Sequence, residues 1–84
     1  MTKRTLLSVA LAHADRLFPL GESAYLIGCK LVSFFSAGCY NTFDASFVDT
    51  VEDISRARGT CRDLQDYRRA IRAMLDETPA EEAK

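Results

Sequence analysis

Apolar residues recur along this chain at helical rather than strand spacing, and they divide it into four segments. The first predicted helix runs from Thr2 or Lys3 to Phe18. Leu6, Leu7, Ala10, Leu11, Ala14, Leu17 and Phe18 project onto one arc of its helical wheel, and Thr5, Ser8, Asp15 and Arg16 fall on the other side. Pro19 has no N–H to donate and its ring crowds the preceding turn, so it reads as the stop, with Pro19-Leu20-Gly21 as a short connector.

The second segment, from about Glu22 to Ala37, has a much wider apolar arc. Ala24, Tyr25, Ile27, Leu31, Val32, Phe34 and Phe35 cover about half its wheel, and Leu26 and Cys29 add apolar surface outside that arc. A helix that is apolar nearly all round is a buried one, yet 84 residues provide few neighbours to bury it. Either this helix sits centrally among its companions, or part of it meets a second copy of the chain. The small residues Ala24 and Gly28, four apart, would let another helix approach closely. Gly28 is equally readable as an interior glycine that costs about 1 kcal/mol relative to alanine. Gly38 reads as a left-handed stop.

The third segment runs from Asn41 or Thr42 to Arg58, and Gly59 closes it. Phe43, Phe47, Val51 and Ile54 form its stripe, flanked by Val48 and Ala57. Asp49, Glu52, Asp53 and Arg56 lie opposite, with Glu52 and Arg56 spaced for an i,i+4 ion pair. The fourth segment opens on Thr60-Cys61-Arg62-Asp63, a variant of the capping box with Thr60 as the cap. It buries Leu64, Tyr67, Ile71, Met74 and Leu75 and ends at Pro79. These segments predict an all-α fold: a compact single-domain bundle of three to four helices over residues 1–78, followed by a short acidic mobile tail over 79–84. Short connections favour antiparallel neighbours, with irregular orthogonal packing as the alternative.

Composition sharpens this picture. A chain of this length buries only about 60–65% of the surface its unfolded form exposes, so a lone monomer is marginal and a homodimer is expected. The net charge of −1 argues against a dedicated nucleic-acid binder. The longest apolar stretch, Ala24 to Ala37, is interrupted by Lys30, Ser33 and Ser36 and falls short of the ~20 residues of a membrane span. Met1–Ala14 mimics a secretory signal, with Lys3 and Arg4 ahead of an apolar run and Ala12-His13-Ala14 as its cleavage site. It is shorter than the usual ~15–30 residues, and cleavage would split the first helix, so the helix reading is preferred. Cys29, Cys39 and Cys61, odd in number and widely spaced, are expected to be reduced thiols in a cytoplasmic protein. Cys39 and Cys61 both fall near predicted helix ends, which leaves a bridge between them open.

Reactive chemistry is sparse. Three cysteines and one histidine carry no CxxC or HxxxH spacing, so no metal site and no cofactor are expected. His13 borders the apolar arc of the first helix, and Asp15 projects to a different face and is unable to orient it locally, so His13 reads as a structural, half-buried histidine. The carboxylate pairs Glu52–Asp53, Asp76–Glu77 and Glu81–Glu82 fall on polar faces or in the tail and read as solvated charge. No glycine-rich phosphate loop is present, and an enzyme is not expected.

The arginines are the most informative polar feature. Arg56, Arg58, Arg62, Arg68, Arg69 and Arg72 fall within seventeen positions, diluted by Asp63 and Asp66. The plain reading is a solvated helix face with local ion pairs such as Asp66–Arg69. A sharper one makes Arg62, Arg68, Arg69 and Arg72, with Tyr40 as an exposed aromatic, a strip for an acidic protein surface. The alternative is a DNA-binding regulator in which the third and fourth helices form a helix-turn-helix and Arg62, Gln65 and Arg69 reach base edges. Ala24, Tyr25, Gly28, Val32 and Phe35 are the candidate oligomer interface, and Tyr25, Phe34 and Phe35 could line an apolar ligand pocket at its seam. The expected function is a non-enzymatic protein-binding module that regulates, inhibits or chaperones its partner by direct contact.

Overall fold

The computed structural model describes residues 3–34 and 45–78. Among the described residues there are five α-helices and no strand: α1 (Lys3–Ala12), α2 (Ala14–Leu17), α3 (Ala24–Phe34), α4 (Ala45–Thr60) and α5 (Leu64–Glu77). A 3-10 turn, Phe18–Leu20, follows α2. The fold is all-α, with five helices in place of the expected three or four. The extra one arises because the first predicted helix breaks at His13.

That break has a local cause. His13 leaves the helical basin, at φ −116 and ψ 27. Its backbone N–H still donates to the Val9 carbonyl at 3.0 Å, and its Nδ1 lies 3.1 Å from the same oxygen. Its ring stacks on Phe34 of α3, with centroids 4.1 Å apart and planes 17° from parallel. A side chain that competes for a carbonyl of the helical ladder and is drawn onto a neighbouring helix bends the chain there. His13 is half-buried, as its place beside the apolar arc suggests.

Helix α2 ends at Leu17, one residue short of the expected Phe18, and Pro19 falls in the short connector that follows. There it sits inside the 3-10 turn near its start, where a missing N–H costs nothing. The connector closes at Gly21, whose φ of 71 is open to glycine at no steric cost and whose N–H donates to the Phe18 carbonyl at 3.2 Å. Ser23 then caps α3, its Oγ accepting from the Leu26 N–H at 3.2 Å.

The second boundary that shifts lies between α4 and α5. Helix α4 continues through Gly59 to Thr60, so Gly59 does not close it and Thr60 does not cap the next helix. The Thr60 hydroxyl instead donates back to the Ala57 carbonyl. The cap moves to Asp63, whose side chain accepts from the Asp66 N–H at 2.9 Å. Asp66 reaches back in turn and accepts from the Arg62 N–H at 3.3 Å. The cap is thus built from two aspartates and displaced by three residues, with Asp66 reaching the N–H just before the cap residue rather than the cap's own.

The core joins α1, α2, α3, α4 and α5. Leu6, Leu7, Ala10, Ala14 and Leu17 bury the first stripe against Ile27 and Leu31, Phe47, Val51 and Ile54, and Tyr67 and Ile71. Helix α1 packs on α5 and α4, and α3 packs on α4. The radius of gyration, 12.0 Å, is close to the ~12 Å of a compact chain of this size. Two arginines tie elements distant in sequence. Arg4 of α1 donates to the Thr78 carbonyl at 2.8 Å and the Leu75 carbonyl at 3.4 Å, covering the open C-terminal end of α5. Arg58 of α4 donates to the Phe18 carbonyl at 3.0 Å and holds its guanidinium 3.7 Å from the centre of the Phe18 ring.

The readings placed on Phe35, Gly38, Cys39, Tyr40 and Phe43, and on the tail over 79–84, lie outside the described residues.

Candidate functional site

Helix α3 is covered on one side only by the rest of the described chain, the side carrying Ile27, Gly28 and Leu31. Tyr25 is 77% exposed and Leu26 45%, and Val48 of the adjoining α4 is 44% exposed. Between the two helices lies an apolar cleft of about 440 Å³, lined by Ala24, Tyr25, Gly28 and Cys29 from α3 and by Phe47, Val48, Val51 and Glu52 from α4. This size falls within the ~300–1,000 Å³ range of binding pockets.

The cleft follows from the sequence of both helices. Phe47 and Val51 are one turn apart on the buried stripe of α4 and form its floor. Gly28 faces them without a side chain; a Cβ built there would lie 3.7 Å from the Phe47 ring and 3.8 Å from Val51. Ala24, one turn earlier, is the next smallest wall. Two small residues in successive turns therefore leave a trough that larger side chains would close. Tyr25 and Val48 form rims. Cys29 is an exposed free thiol at the edge.

Three of the five candidate interface residues, Ala24, Tyr25 and Gly28, line this cleft together. Val32 is half-buried against the core instead, and Phe35 lies outside the described residues. Phe34, which the sequence also offered for an apolar pocket with Tyr25 and Phe35, stacks on His13 and does not line this cleft.

The charge around the cleft also differs from expectation. Arg56, spaced to pair with Glu52, pairs with Asp53, which also accepts from Lys3 at 3.2 Å. Lys3 comes from α1 and draws Asp53 into a three-member cluster, and Arg56 follows it. Glu52 is left exposed at the cleft with no ion pair among the described residues; Asp49, one turn earlier on α4 and outside the cleft lining, is also exposed without one.

The arginine face of α5 is largely neutralised by its own helix. Arg62 and Arg69 both reach Asp66, at 3.9 and 3.5 Å, and Arg72 reaches Asp76 at 3.4 Å. These are exposed i,i+3 and i,i+4 pairs worth a few tenths of a kcal/mol each. Arg68 is exposed and makes no ion pair among the described residues. A shallow hollow runs beside Arg68, Arg69 and Arg72, with Leu11, Leu64 and Gln65 as its other walls. Arg58 does not belong to this strip, since its guanidinium is held by Phe18 and the Cys61 carbonyl.

Tyr67 lies in the core, as the buried stripe of the fourth segment predicts. It is fully buried, and among the described residues its hydroxyl has no hydrogen-bond partner. Burial pushes its phenol up to about 12, with nearby Arg58 pulling down and Cys61 pushing up. Cys61 is a free thiol whose Sγ donates to the Ala57 carbonyl, and its conceivable partner Cys39 lies outside the described residues. Among the described residues no group of three or more His, Cys, Asp or Glu side chains is placed to hold a metal ion. No helix there is long and apolar enough to cross a membrane.

In comparisons with known proteins, no family model matches the chain, and no curated protein or solved structure matches it.

Proposed function

We propose that this protein is a non-enzymatic binding module that docks on another protein through the α3–α4 cleft and regulates, inhibits or chaperones it by direct contact. The observation that carries this reading is the apolar trough left open by the described residues, with Tyr25 and Val48 at its rims, while the core stripes of α1, α4 and α5 are buried. Apolar surface left in one contiguous place on a small globule marks an interaction site. The arginine strip of α5 takes second place, because Arg62, Arg69 and Arg72 already have carboxylate partners. The same pairs weaken the DNA-binding alternative: Asp63 and Asp66 sit at the start of α5, where phosphate would approach.

A capture experiment separates these surfaces. Tagged wild-type protein, Val48→Asp and the double variant Arg68→Ala/Arg69→Ala are used as baits in native lysate, and bound proteins are read by quantitative mass spectrometry. The cleft reading expects a set of proteins lost with Val48→Asp and kept with the arginine variant. Loss with the arginine variant alone transfers the function to α5. Equal capture by all three baits removes the proposal.

A further inference from the structure

Which partner the cleft takes is readable from its edge. The floor and walls are apolar, and among the described residues the only charged one lining it is Glu52. Its natural i,i+4 cation, Arg56, is occupied by Asp53, and Asp53 is anchored by Lys3. Asp49 adds a second exposed carboxylate one turn away on the same helix. The nearest cation on α3, Lys30, follows Cys29 by one residue and projects away from α4, toward a separate hollow with Leu20 and Leu26. One rim of the trough is thus acidic and uncompensated, and its bed is apolar.

Resting on the cleft as the docking site, we infer that its occupant is an amphipathic helix of another protein, with an apolar stripe flanked by lysine or arginine. The two-helix trough suits the helix-in-groove mode, in which side chains at i, i+3 or i+4 and i+7 fill the bed. A basic residue beside that stripe would stand over Glu52 and Asp49. A second copy of the chain fits less well. Two identical troughs facing each other leave the beds unfilled and bring the Glu52 rims toward the same two-fold axis.

The test uses the full chain and two synthetic eighteen-residue helical peptides with the same leucine stripe and a fluorescein label. One peptide carries lysines along the flanks, the other glutamates. Anisotropy titrations give Kd for wild type, Glu52→Lys, Val48→Asp and a charge-matched control, Glu77→Lys, at the exposed end of α5. Circular dichroism checks that each variant keeps its helix content, and Glu52→Gln serves as the milder substitution. Expected are binding of the lysine peptide at least tenfold tighter than the glutamate peptide, a loss of tenfold or more with Glu52→Lys, and less than twofold with Glu77→Lys. Slowed alkylation of Cys29 by iodoacetamide, mapped by mass spectrometry, would place the bound peptide at the cleft.

If Glu52→Lys and Glu77→Lys weaken binding equally, the attraction is only general charge, and the inference fails. If both peptides bind alike and Val48→Asp abolishes both, the cleft remains a docking site and its preference for cations is refuted. Failure of either peptide to bind, or indifference to Val48→Asp, overturns the cleft reading together with this inference. A dimer by light scattering that Val48→Asp dissolves, with no peptide bound, assigns the cleft to a second copy instead.

Discussion

Tyr67→Phe should make this protein more stable, although it deletes a polar group from the middle of the fold. Tyr67 has no exposed surface, packs against Phe18 with ring centroids 5.7 Å apart, and carries a hydroxyl without a partner among the described residues. In the unfolded chain that hydroxyl is hydrated. Burying it unpaired costs about 1–3 kcal/mol. Phenylalanine keeps the ring and its packing and removes one atom, whose lost contacts return a few tenths of a kcal/mol. The net expectation is a gain of about 1 kcal/mol, or a rise in Tm of roughly 4–8 °C for a domain of this size. Thermal melts by circular dichroism at pH 7 measure it. The same variant carries a pH signature. The folded phenol titrates at about 12 and the unfolded one at the ordinary 10.0, so the folded state holds its proton more tightly. Its contribution is fully present below pH 10 and is lost as pH rises from 10 to 12. Wild type should therefore lose stability relative to Tyr67→Phe across that window. A destabilisation of 1 kcal/mol or more at pH 7 would show that the hydroxyl is hydrogen-bonded, and parallel stability curves from pH 9 to 12 would show that it reaches water; either outcome refutes the reasoning.

Three further outcomes follow from the packing. Arg4→Ala removes the guanidinium that covers the Leu75 and Thr78 carbonyls and should cost about 1–3 kcal/mol in urea unfolding, with amide exchange accelerating first in the last turn of α5. Arg58→Met keeps the aliphatic stem but loses the bonds to Phe18 and Cys61 and the ring contact, and it should cost about 1–3 kcal/mol; an unchanged urea midpoint would mean that the 3-10 turn stands without it. Gly28→Ala places a methyl at ordinary contact distance from Phe47 and Val51 inside a helix, so it should raise stability by about 0.5–1 kcal/mol while narrowing the trough and weakening whatever docks there. A loss of stability would show that the α3–α4 approach has no room to spare.

The stripes of the four segments were legible because their spacing matches the helical period: Leu6, Ala10 and Leu17, then Ile27 and Leu31, then Phe47, Val51 and Ile54, then Tyr67 and Ile71 all lie in the core. The boundaries were less legible where tertiary contacts decided them. The bend at His13 depends on Phe34, far away in sequence, and the placement of Pro19 depends on whether the turn after α2 tightens. Aspartate serving at both ends of the α5 cap displaced the start of that helix by three residues. For the candidate site, the apolar excess of the second segment was visible, as were Ala24, Tyr25 and Gly28. What stayed hidden was the α4 half of the trough and the isolation of Glu52. The latter depends on Lys3 reaching Asp53 across fifty positions, which no helical wheel of α4 contains.

The clamp of Arg4 on the last turn of α5 joins backbone seventy-four positions apart. A polypeptide closed in this way does not mature from one end to the other. During synthesis, α1 emerges early but finds its principal neighbour only after α5 is made, and until then its leucines are covered only in part, by α3 and α4. In a native-state exchange experiment the amides of α1 and α5 should open together, as one cooperative unit assembled from the two extremes of the described chain.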